Sequence, residues 1–190
     1  MKRSGIYFLI TLLVAGICWR FPLFRVVPLA EVNAAKVAAE FDAHDFASDF
    51  WEKQLVPSFP QATAVQELLT ALEKDPEGAR LTFGRSVGIG RVYYFFLRGE
   101  GQILSVEKSS VAISCLETNA GPDLHLKTGL LFGNSVRDCS GQIKAGDFAN
   151  SQDFNAISRE LNQIVEKQVL PQLKSPAAVG KQIRFVGCVE

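Results

Sequence analysis

The sequence predicts an α+β protein, with a small helical subdomain followed by an antiparallel β-barrel that carries one long late helix. Three observations predict it. Apolar residues recur at threes and fours around 65–72 and again over 154–169, the period of helices with one buried face. Between those stretches, short apolar or alternating runs from 91 to 115 are broken by glycines and polar turns, the pattern of strands. The character of the chain changes at Gly84, which marks the boundary between helical and β parts.

The chain starts Met1-Lys2-Arg3 and then runs uncharged from Ser4 through Trp19. Two cations before an apolar run mark an export signal or signal anchor. The cations hold the amino end in the cytoplasm, so everything after the run is delivered outside. Cys18 stands where a lipoprotein would be modified, but Ile17 precedes it where a small residue is wanted. Val32-Asn33-Ala34 lies too far from the apolar run for ordinary cleavage. Ile6 to Trp19 would span about 21 Å as a helix, short of a hydrocarbon core of about 30 Å. Extension through Phe24 closes the gap if Arg20 snorkels. We therefore expect a single uncleaved anchor in the inner membrane, with lipidation at Cys18 as the alternative.

Of 190 residues, 20 are Lys or Arg and 20 are Asp or Glu. Lys2, Arg3, Arg20 and Arg25 all fall in the first thirty positions, which contain no acid, so the exported part keeps 16 basic against 20 acidic residues. That balance argues against a nucleic-acid partner and against a polybasic lipid-binding face. Cys115, Cys139 and Cys188 lie in the exported part, where disulfides are permitted. Three cysteines allow one internal bridge and three pairings. No CxxC spacing points to a metal or a redox motif, and no metal or other cofactor is expected.

The elements follow in order. Phe21 to Ala30 carries two prolines and reads as a linker. Phe46, Phe50 and Trp51 mark a short amphipathic helix within 34–54, ending before Pro57. Thr63-Ala64-Val65-Gln66 fits a capping box opening a helix to Lys74, with Val65, Leu68, Leu69 and Leu72 on one face. Asp75 then caps another helix, with Pro76 in its first turn. Strands are expected from Arg91 to Leu97 and from Gln102 to Glu107, joined by a turn at Arg98-Gly99-Glu100-Gly101. Further strands are expected at Val111–Cys115, Leu124–Phe132 and Gly141–Lys144. Phe154, Ile157, Leu161, Ile164, Val165 and Val169 form the stripe of the long helix, ended or kinked by Pro171. Lys181 to Val189 closes as a strand with Ile183, Phe185 and Val189 on one face. We read no repeat or low-complexity tract. An OB-like barrel is the architecture nearest this inventory. The expected organisation is an anchor and linker over 1–30, the helical subdomain over 31–83 and the OB-like β domain over 84–190.

Candidate chemistry is sparse. The glycines at 84, 88 and 90 lack the Lys-Ser/Thr of a phosphate loop and precede a strand, so they mark backbone bends. His44 and His125 stand far apart, and no nucleophile elbow or zinc-protease motif is present. Tyr93 to Phe96 has strand parity on both faces, which makes it core before it makes a sugar platform. Arg137-Asp138 is the pair to watch. In a strand the two side chains would point apart, leaving each to pair elsewhere or leaving Arg137 to bind an anionic or hydroxyl-rich ligand at the barrel mouth. Asp147 and Asn150 are binding candidates too, or else cap and turn residues before the long helix.

The ordered set Trp51…Pro57, Asp75-Pro76, Gly84…Gly88, Gly99-x-Gly101, Gly133-x-x-x-Arg137-Asp138, Asp147-Phe148-x-Asn150, Leu161-Asn162 and Gly180…Phe185-x-Gly187 resembles the predicted periplasmic lipoproteins grouped as domain of unknown function twenty-two ninety-one. The resemblance covers nearly the whole exported part. It implies a helical subdomain before an OB-like domain, a periplasmic location, and an accessory role beside ribose-type sugar ABC transporters. It implies no catalytic residues. This sequence departs at Cys18, which follows Ile17. The function expected is therefore a non-enzymatic, membrane-anchored accessory or binding protein, its partner a transporter component or a small ligand. The alternatives are an envelope hydrolase or lyase using Asp138 or Asp147 with a histidine, and a purely structural scaffold of an envelope complex.

Overall fold

Asp42 opens the first helix, α1 (Ala43–Phe50), by accepting the His44 and Asp45 N–H groups at 2.8 and 3.0 Å, which satisfies donors that a helix start leaves orphaned. The structure is a computed structural model that describes residues 41–87, 92–116, 121–174 and 178–190, with isolated positions before them (Gly5, Tyr7, Leu12, Leu13, Arg20 and Pro28). The chain divides into Met1–Phe41 and Asp42–Glu190, and every element with defined bounds lies in the second unit. The expected anchor over 1–30 falls almost entirely outside the described residues.

From α1 the backbone continues without a break into a π turn (Trp51–Leu55) and a 3-10 turn (Val56–Gln61). Two residues of β1 (Thr63–Ala64) follow, then α2 (Val65–Lys74) and α3 (Pro76–Phe83). The capping box does not form. Thr63 is extended and paired in the sheet, Ala64 occupies the cap position with no side-chain bond, and Gln66 reaches across to Cys115 O at 3.4 Å. A residue committed to a strand cannot also bend back onto the helix it precedes. Asp75 does cap α3, accepting from Gly78 N at 3.1 Å.

The sheet is built on β3 (Tyr93–Val106), which the sequence splits into a hairpin and the structure keeps as one strand. β6 (Gln182–Val189) runs antiparallel along its first two thirds, Phe95 opposite Val189 and Gln102 opposite Gln182. β4 (Ser110–Ser114) pairs with its last third across a register shift between Ile103 and Ser105, and β5 (Leu124–Lys127) pairs with β4. β2 (Arg85–Ser86) pairs with Tyr93 and Tyr94, and β1 runs parallel to Leu97 and Arg98. The result is an open, mixed six-stranded sheet among the described residues, where the sequence predicted an antiparallel barrel.

Gly99 and Gly101 explain why the hairpin reading fails. A Cβ on Gly99 would overlap Val65 Cγ1 of α2, and one on Gly101 would lie 2.7 Å from Ser114 O and 3.1 Å from Cys115 Sγ. These glycines let neighbours approach a continuous strand; they do not turn it. α2 thereby seats on β3, and Val65, Leu68, Phe95 and Leu97 form one buried cluster. Ile103, Val111 and Ile113 form a second, covered in part by Leu124, Leu126, Ile183 and Phe185. The expected strand at 141–144 is absent, because its ends go into local turns: Gly141 N donates to Asp138 O and Asp147 N to Lys144 O. Likewise β5 stops at Lys127, short of Phe132.

After α4 (Ser135–Asp138) the long helix starts as α5 (Ser151–Ile164), passes through a π turn (Val165–Val169) and ends as α6 (Leu170–Lys174). α5 packs on α1, with Ala47 and Phe50 buried on one side and Ile157 and Leu161 on the other. Both π turns sit at nearly the same hexapeptide, Glu-Lys-Gln-Leu-Val-Pro at 52–57 and Glu-Lys-Gln-Val-Leu-Pro at 166–171, which differ only in the order of Leu and Val, a short repeat that the sequence reading missed. Val56 N donates five residues back to Trp51 O, and Leu170 N to Val165 O. Proline offers no N–H to the carbonyl four residues earlier, and the wider turn lets the helix accommodate that loss. It also inserts a residue into the apolar phase, so Leu170 is buried while Val169 is 38 % exposed.

Candidate functional site

Arg137 and Asp138 are neighbours on a helical turn, not a strand, and this single difference decides their chemistry. Helical backbone lets the two side chains fold toward each other. Arg137 Nε donates to Asp138 Oδ1 at 2.6 Å and Nη2 to Oδ2 at 2.9 Å. The third nitrogen, Nη1, donates to Phe154 O at 3.0 Å and Asn155 Oδ1 at 3.4 Å on α5. The guanidinium lies 3.5 Å above the Phe154 ring, where its planar face is favoured over an aromatic surface. Arg137 is 2 % and Asp138 1 % exposed. Four of the five guanidinium N–H groups are engaged inside the fold, and a side chain this deeply buried does not reach solvent to meet a ligand. The expectation that Arg137 faces a barrel mouth is corrected accordingly: the side chain is a strut between α4 and α5.

The strut is locked from the other side. Cys139 follows directly, is fully buried and is disulfide-bonded to Cys188 of β6, with 5.7 Å between Cα atoms and a sequence separation of 49. Of three pairings open to the sequence, this one leaves Cys115 free and half-buried. Burial, and then the Asp123 carboxylate, pushes the Cys115 thiol up to about 11. Asp123 itself is occupied, accepting from Cys115 N at 2.6 Å and Leu116 N at 2.9 Å. Burial also raises Tyr94, helped by the charges of Glu190 and Asp138 and opposed by Arg137.

The remaining candidates separate. Asn150 is the cap of α5, accepting from Asp153 N at 2.8 Å. Asp147 is exposed in a 3-10 turn (Ala145–Asp147). His44 stands 3.5 Å from Glu160, which also faces Arg159, and His125 is exposed on β5. Among the described residues no group of three or more His, Cys, Asp or Glu could hold a metal ion. Cys18 lies outside them.

What the sequence reading missed is the segment leading into α4. Residues 129–133, Gly-Leu-Leu-Phe-Gly, are held to the long helix by three side chains spaced four apart. Glu166 Oε1 accepts Leu131 N at 2.6 Å, Asn162 Nδ2 donates to Gly133 O at 3.1 Å, and Ser158 Oγ donates to Asn134 Oδ1 at 2.9 Å. Gly133 has φ +92°, a backbone state that a side chain would strain. At the other root, Thr128 N and Gly129 N both donate to Ser109 O. With its backbone held at both ends, the segment leaves Leu130 73 % and Phe132 81 % exposed. The available signal was the row of polar residues at 158, 162 and 166 along an otherwise apolar helix flank, together with glycines on both sides of Leu-Leu-Phe.

An open OB-like sheet, a late helix strapped to it and a disulfide fit an exported α+β domain. The chain matches the predicted periplasmic lipoprotein family, domain of unknown function 2291, over residues 8–190, and belongs to that family. Membership supports a periplasmic location. A crystal structure of an OB-fold protein from Thermotoga maritima is similar, at 31 % identity and TM-score 0.70, covering 78 % of this chain and 86 % of that one. No curated protein matches. No helix among the described residues is long and apolar enough to cross a membrane.

Proposed function

We propose that this chain is a membrane-tethered periplasmic accessory protein that acts by binding, with components of a sugar ABC transporter as its partners. The observation that carries the binding reading is the closure of Arg137 on Asp138: the ion pair buried on both sides is spent inside the fold, so recognition falls to the outer surface. The transporter partner comes from the family resemblance alone. The rival hydrolase reading would need Asp138 free, and Asp138 is buried against Arg137. It would otherwise need Asp147 next to a histidine, whereas His44 faces Glu160.

The test is isolation of the full-length chain from membranes in mild detergent, with mass spectrometry of co-purifying proteins and of its own N-terminus. Transporter or solute-binding subunits in the eluate support the accessory role. An intact Met1 supports the retained anchor over 6–24, and a lipidated Cys18 replaces it with a lipid tether. Turnover that Asp147→Ala abolishes would sink the binding reading.

A further inference from the structure

We draw no further inference here: the strongest candidate, the exposed apolar tip at Leu130 and Phe132 between β5 and α4, carries nothing because nothing in the structure shows what covers it.

Discussion

Arg137 shows how far one residue's role depends on backbone the sequence does not display. Its pair with Asp138 is fully buried, and removal of one partner leaves the other charge in the core. Arg137→Ala should lower unfolding stability by about 3–5 kcal/mol, a large share of the roughly 5–15 kcal/mol that holds a domain together. Urea denaturation would measure it. A variant as stable as the parent would return Arg137 to the candidate binding residues. Cys115 makes the opposite kind of prediction, a quiet one. With its thiol raised to about 11 from 9.0, alkylation near neutral pH should be on the order of a hundredfold slower than for an unshifted thiol, as peptide mass spectrometry would show. The sign of the linked stability is set by that rise. The folded state favours the protonated thiol, so the contribution is intact below about 9 and is lost as pH climbs toward about 11. Tyr94, raised in the same direction, adds to the alkaline loss. Melting followed from pH 8 to about 11 should fall less steeply in Cys115→Ala than in the parent.

At the scale of elements, α2 fits closely on β3 at Gly99. Gly99→Ala would drive its new methyl into Val65 and should cost about 1–3 kcal/mol. Val65→Ala removes the obstructing methyls, and by itself leaves a cavity costing on the order of 1–3 kcal/mol. The double variant should be more stable than the sum of the two losses predicts, because the added methyl fills the space vacated. A double-mutant cycle by chemical denaturation checks this. Additive losses would mean that the two elements can slide apart, and that the glycine is not required for seating.

For the whole molecule the disulfide is the long-range tie, joining the turn after α4 to the last strand across 49 residues. Closing a loop of that size restricts the unfolded chain by an amount worth up to about 4 kcal/mol. Cys139→Ser should therefore lower the urea midpoint with a stability loss of about 2–4 kcal/mol, and reduction of the parent protein should reproduce it. An unchanged midpoint on reduction would mean the tertiary packing holds α4 to β6 without the bond.

Periodicity by itself determined a good deal here. The stripe at 154, 157, 161 and 164, the Asp75-Pro76 helix start and the closing strand at 182–189 were all legible, because each follows from local spacing and a local cap. The α+β class and the OB-like sheet followed from their order. Only tertiary structure decided the rest, for a shared reason: the deciding neighbour lies far away in sequence. Gly99 reads as a turn until Val65 is seen against it. Thr63 reads as a cap until Leu97 pairs with it. Arg137 reads as a free cation until α4 proves helical and Phe154 arrives beneath it. The apolar tip is the limiting case, since Leu-Leu-Phe reads as the end of a strand. Three polar side chains from a helix about thirty residues later hold it open to the outside.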